Sequence, residues 1–254
     1  FSDTYVPFDT PPNISRFSIA GTGSESITNG VLNQQSGLLA PQTRTYQLSY
    51  STTLDQGLIV RTVLDPVSRG SVSGTSDGRR IVQMELGNGS VSYKIRIQIS
   101  TSQFAIYDIN GGAQIGTTKS FTGRVELLIA LTEGNVNCWY ISNTVNASAR
   151  QYTVGVSNGT VSNGGAALTG GSVIWGVDTY SPSGIVETDW FEFHCSAATN
   201  TGFQLESFSN PDSLSLKAYP PAGRFVYVHD GVSVSTTDGA AIYGDEYNIQ
   251  AQFE

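Results

Sequence analysis

Residues 124–142, RVELLIALTEGNVNCWYIS, decide the fold class. An apolar run (RVELLIALT, 124–132) and an aromatic run (VNCWYIS, 136–142) flank the polar break Glu133-Gly134-Asn135. Aliphatic, β-branched and aromatic residues on both sides of a Glu-Gly-Asn turn make a hairpin, not a helix. The first run is apolar on both of its faces, which suits a central strand covered from two sides.

The same period of two continues outward in both directions. TYQLSY (45–50), GLIVRTVL (57–64), RIVQMEL (80–86), VSYKIRIQIS (91–100), QFAIYDI (103–109), QYTVGVS (151–157), SVIWGVD (172–178) and TDWFEFHC (188–195) all read as strands. Asn88-Gly89, Asn110-Gly111, Asn158-Gly159 and Asn163-Gly164 tolerate positive φ and read as hairpin turns. VSNGTVSNGG (156–165) reads as a flexible loop. No capped 3.6-residue period runs for ten residues, so any helix should be a single turn. Short strands at this spacing must bury one face on a second sheet, which predicts an all-β sandwich or jelly roll.

Composition shifts after Cys195. The domain division expected is an N-terminal arm over 1–16, a sandwich over 17–198, and a small β-rich C-terminal extension over 199–254. The extension is too small to be stable alone, so it should pack on the sandwich or on a neighbouring subunit. Its closing run YNIQAQFE is a candidate for edge pairing. Cys138 and Cys195 both sit in strand-like runs and read first as buried small hydrophobes, with a disulfide left open.

Charge excludes several partners. The formal net charge is −8, and only three of thirteen basic residues are Lys, so there is no basic stripe for nucleic acid or for an anionic membrane surface. No apolar run is long enough to span a bilayer, so membrane insertion is not expected. A surface of Gly, Ser, Thr and Asn fits an extracellular or virion-surface protein, and such proteins usually assemble as homo-oligomers.

Three stretches carry a family resemblance. YKIRIQISTSQFAIYDINGGAQIG, RVELLIALTEGNVNCWYI and SVIWGVDTYSPSGIVETDWFEFHC follow the order of strands and turns in the concanavalin A-like lectin/glucanase superfamily, in particular its laminin-G-like jelly rolls. The resemblance spans about residues 45–195 and implies a jelly-roll sandwich. Relatives of that kind mostly bind glycans or serve as adhesion modules, and a minority are glycanases.

The candidate site is Glu187-x-Asp189-x-x-Glu192. The laminarinase-like branch of the superfamily uses this spacing. By that resemblance Glu187 would be the nucleophile, Asp189 the auxiliary carboxylate and Glu192 the acid/base of a glycoside hydrolase. On a regular strand, residues i and i+2 share a face and i+5 falls on the other, so the pattern works only with a bulge between Asp189 and Glu192. Without the bulge, Phe191 and Phe193 point inward and Trp190, Glu192 and His194 point outward. That outward trio would form a small sugar platform, unless the C-terminal extension covers Trp190. No cofactor is implied. Calcium is the one metal with candidate ligands, Asp178, Asp245 and Glu246, although none lies in a dedicated loop pattern. GRRIVQMEL and IRIQIS faintly echo alginate-lyase-like strands, but Ser100 stands where those lyases place a histidine.

The reading is therefore a non-catalytic surface or virion-associated module that recognises glycans or neighbouring subunits. The alternative is a hydrolase acting through Glu187, Asp189 and Glu192.

Overall fold

A computed structural model of the chain describes residues 3–5, 17–36, 43–68, 80–142, 153–165, 168–178, 187–198, 204–205, 215–217, 226–228, 233–235 and 241–243. They divide between two compact units, one formed by 1–146 with 153–197 and the other by 147–152 with 198–254.

The larger unit is a sandwich of two antiparallel sheets, with no helix among the described residues. The first sheet runs, in spatial order, β13 (Thr153–Thr160), β12 (Asn135–Ser142), β11 (Val125–Thr132), β6 (Gly57–Ser68), β15 (Glu187–Ala198), β4 (Val31–Gln35) and β3 (Ser24–Thr28). A short strand β1 (Asp3–Tyr5) also pairs with β15. The second sheet runs β10 (Gln114–Ser120), β9 (Gln103–Asp108), β8 (Ser92–Ile99), β7 (Arg80–Asn88), β14 (Thr169–Val177), β5 (Arg44–Tyr50) and β2 (Ser18–Ala20). Chain neighbours β5 and β6, β6 and β7, β10 and β11, and β14 and β15 lie in different sheets, so the chain repeatedly crosses the sandwich.

Alternation sets the core. Leu58, Val60 and Leu64 of β6, Val125, Leu127, Ile129 and Leu131 of β11, and Ile95, Ile97 and Ile99 of β8 all face the interior. On β11 the other face is covered too, with Glu126 and Leu128 also buried, as its two-sided apolar pattern predicts. One end of the interior is an aromatic cluster. Trp175 of β14 stacks on Phe193 at 4.2 Å and on Tyr46 at 5.0 Å, and meets Trp190 edge-on at 5.1 Å. Each such ring, once buried, contributes about 1.5–3 kcal/mol of apolar transfer free energy. Cys138 and Cys195 are both buried thiols, on strands separated by β11 and β6.

The sheets are also tied by a polar latch. Glu25 of β3 accepts hydrogen bonds from Tyr46 Oη at 2.5 Å and from Arg44, both on β5 of the opposite sheet. Burial alone would raise the pKa of Glu25, but the bonds from Arg44 and Tyr46 outweigh it and hold the carboxyl below its ordinary value.

Two local expectations are corrected. Asn158-Gly159 is not a turn and 156–165 is not simply a loop, because residues through Thr160 form β13 and pair with β12. Gly159 is required there by packing: a Cβ at this position would collide with Ile115 of β10, across the sandwich. The hairpin between β3 and β4 turns on Asn29 and Gly30, both at positive φ (52° and 73°), the type I′ pattern favoured by Asn-Gly. Among the described residues no helix is long and apolar enough to cross a membrane.

The smaller unit carries an antiparallel sheet of β16 (Gln204–Leu205), β17 (Ser215–Lys217) and β18 (Val226–Val228), and a separate pair, β19 (Ser233–Ser235) with β20 (Ala241–Tyr243). The closing run YNIQAQFE lies outside the described residues.

Candidate functional site

Strand β15 holds the sequence's acidic cluster, and its register decides what the cluster can do. Over Glu187 to Trp190 it pairs with β4, with Asp189 opposite Asn33 and Trp190 opposite Leu32. Over Phe193 to Cys195 it pairs instead with β1. The alternation slips between these partners. Thr188 and Trp190 are buried, and so are Phe193 and Cys195, so inward residues change from even to odd numbers. An extra residue at 191–192 absorbs the slip, as a bulge does.

The slip corrects the expected trio. Trp190 points inward and is 0% exposed; it is no sugar platform, and its cover is the sandwich's own Trp175 and Phe193. Phe191 lies on the outward side, where the Arg124 guanidinium carbon sits 3.3 Å from its ring centroid. β15 is an interior strand of its sheet, flanked by β6 on one side.

The same slip gathers the carboxylates. Asn33 Nδ2 donates to Asp189 Oδ1 at 2.7 Å and to Glu187 Oε1 at 3.0 Å, so one amide spans both acids. Further along, Arg61 of β6 lies between two more. Its Nε is 2.6 Å from Glu126 Oε1 and its Nη1 is 2.6 Å from Glu192 Oε2. His194 Nε2 lies 3.3 Å from Glu192 Oε2 and 3.3 Å from Arg61 Nη1. When Nε2 carries a proton it donates to Glu192, and when bare it accepts from Arg61. Glu187, Asp189, Glu192 and His194 therefore share the outward face of the first sheet with Arg61, Asn33 and Glu126.

Electrostatics separate the acids. The hydrogen bond from His194, opposed by burial and reinforced by Arg61, lowers the pKa of Glu192 to about 2. Asp65, at the Arg124 end of the face, moves the other way: burial, then the charge of Asp189, raise its pKa. Glu192 is thus ionised at any ordinary pH, whereas a general acid must hold a proton when the substrate arrives. As it stands, the cluster presents carboxylates held in place by Asn33, Arg61 and His194.

Among the described residues, no group of three or more His, Cys, Asp and Glu is placed to hold a metal ion. Asp178, at the end of β14, is buried, and Asp245 and Glu246 lie outside the described residues. The other residues of the face, Arg61, Asn33 and Glu126, were not singled out by sequence, since each reads there as an ordinary polar position of a strand.

No protein-family description and no curated protein matches the chain. Solved structures resemble it only distantly. A functionally unknown protein from Saccharomyces cerevisiae aligns at 9% identity over 73% of this chain and 98% of its own, with TM-score 0.44. The GH43 BlXynB protein from Bacillus licheniformis aligns at 13% identity over 77% of this chain but 39% of its own, with TM-score 0.47. The CBM2 module of an evolved Dit from Lactobacillus casei BL23 phage J-1 aligns at 9% identity over 76% of this chain and 93% of its own, with TM-score 0.43. Similarity at this level does not confirm the concanavalin A-like assignment; the sandwich itself rests on the strand topology above.

Proposed function

We propose that the chain is a non-catalytic recognition module, of the kind carried on an extracellular or virion surface, and that the part-exposed cluster of Asn33, Glu187, Asp189, Glu192 and His194 on the outward side of its first sheet binds glycan. The observation that supports this best is the Arg61 clamp. It fixes Glu192 as an ionised, hydrogen-bonded acceptor beside Asp189, Glu187 and His194. Fixed acceptors and donors on a rigid sheet suit a hydroxyl-rich ligand, and an ionised Glu192 does not suit acid catalysis. The Gly-, Ser-, Thr- and Asn-rich composition supports an exterior setting.

The test is incubation of the full chain with a polysaccharide panel, reading both binding and new reducing ends. Binding without cleavage is the expected result. Reducing-end release that Glu187→Gln abolishes without unfolding the chain would overturn it. Light scattering on the same sample tests self-association.

A glycoside hydrolase remains the second reading, favoured by one observation: the slip in β15 brings Glu187, Asp189 and Glu192 to one face, which that chemistry requires. For it to operate, substrate binding would have to break the Arg61–Glu192 pair so that Glu192 could take up a proton.

A further inference from the structure

Each sheet of the sandwich ends in two edge strands, and an edge must be closed against stray pairing with another chain. Three of these edges carry a visible device. β10 is broken by a register shift between Ile115 and Lys119, with Gly116 at positive φ (67°), and it presents Lys119. β13 shifts register twice against β12. β2 is only three residues long. β3 is different: its five residues, Ser24–Thr28, pair with β4 in unbroken register and include no Lys, Pro or Gly. Among the described residues β4 is its one partner, so the far side of β3 presents unpaired N–H and C=O groups.

The sequence of this edge also suits a copy of itself. In an antiparallel pair centred on Ser26, Ser24 of one chain stands opposite Thr28 of the other, and Glu25 opposite Ile27. Ser24, Ser26 and Thr28 are exposed and uncharged, so nothing on the outward side opposes such a pair. On the inward side one group does. Glu25 turns toward the opposite sheet, where Tyr46 and Arg44 of β5 donate to it. Burial pushes its pKa up, but those bonds outweigh burial and keep the carboxyl ionised at ordinary pH. The ion pair sits at the rim, with the Glu25 side chain 15% and the Arg44 side chain 21% exposed. A second β3 would cover that rim, strip both charges of their remaining water and set each Glu25 against the apolar Ile27 of the other chain.

We infer that β3 is a latent pairing site for β3 of a second copy of this chain, and that Glu25, with Arg44, holds it shut. An inward-pointing charge on an edge strand blocks the addition of a further strand without altering the exposed side of the sheet. Self-association of the natural chain, where it occurs, therefore uses surfaces other than β3.

Hydrogen exchange on the full chain at low and high protein concentration, with light scattering on the same samples, tests this. In the natural chain the β3 amides should exchange at a rate independent of concentration. Glu25→Gln with Arg44→Gln removes both charges together and leaves no lone buried charge. Glu25→Gln alone keeps an acceptor for Tyr46 and Arg44. Thermal melts check that each variant folds. In a folded variant β3 exchange should slow as concentration rises, with self-association at least about tenfold tighter than in the natural chain. Adding Ser26→Lys, a charge on the exposed side of the edge, should reverse both effects. Concentration-dependent protection of β3 in the natural chain would overturn the inference, as would folded variants whose β3 exchange ignores concentration. Association that Ser26→Lys leaves intact would place the contact elsewhere and overturn it as well. Loss of fold in both variants would do the same, because Glu25 would then be a support of the core and not a guard of the edge.

Discussion

Trp190 and Phe193 lie three residues apart on one strand and both face the interior, with ring centroids 6.2 Å apart and planes at 80°. A regular strand would send them to opposite faces. The slip that unites them also turns Glu187, Asp189 and Glu192 outward together, so the two rings are buried on the side of the strand opposite the acids. Cutting Trp190 to Ala should therefore act on stability and not on recognition. We expect a loss of about 3–5 kcal/mol in urea unfolding, the cost of removing a large core aromatic. Where the variant is still folded, ligand affinity should be unchanged; a selective loss of affinity would restore Trp190 to the binding surface.

Glu192 should make stability depend on pH. Its carboxyl titrates at about 2 when folded, against an ordinary value of 4.5, mainly through the hydrogen bond from His194. The folded state thus holds the proton more weakly than the unfolded chain. The resulting stabilisation is fully present above pH 4.5 and is lost as pH falls toward 2. The group is part-exposed, so screening limits its worth to about 1–2 kcal/mol. Glu192→Gln should be less stable than the natural chain by that amount at pH 7, and the two urea midpoints should converge below pH 4.5. A gap that stays constant down to pH 3 would show that the Arg61 and His194 contacts contribute nothing through charge.

Much of the sandwich was legible because its strands bury one face and alternate strictly. RVELLIALT, VNCWYIS and VSYKIRIQIS became β11, β12 and β8 almost residue for residue. The first strands were not, for a physical reason: SIA, SESIT and VLNQQ hold few apolar residues, and only Asn29-Gly30 marks their hairpin. The site was half legible. Its three acids could be named from spacing, but their facing depended on a slip caused by a change of partner strand, from β4 to β1, that no local pattern encodes.

Tyr46→Phe tests the latch between the sheets. The hydroxyl donates to Glu25 across the sandwich at 2.5 Å, and burial together with that carboxylate pushes the phenol's own pKa up. Removing it leaves Glu25 short of a donor in a half-buried position, at a cost of about 1–3 kcal/mol. Hydrogen exchange should rise in β3 and β5 while β8 and β11 stay protected. Uniform loss of protection would mean that the latch contributes only to global stability.

Gly159 and Ile115 should behave as a coupled pair. They meet across the sandwich, Gly159 on β13 of one sheet and Ile115 on β10 of the other, and a Cβ on residue 159 would occupy the space of the Ile115 side chain. Gly159→Ala must therefore push the sheets apart or force Ile115 off its rotamer, which costs about 1–3 kcal/mol. Ile115→Ala alone opens a cavity, at a cost of about 2–5 kcal/mol when fully packed and less at this edge. The double variant should lose less than the sum of the two, because the new methyl enters the space the isoleucine vacates. A coupling of about 0.5–3 kcal/mol in a double-mutant cycle is the expected result. Strict additivity would mean that backbone freedom, and not the contact with Ile115, is why glycine stands at this position.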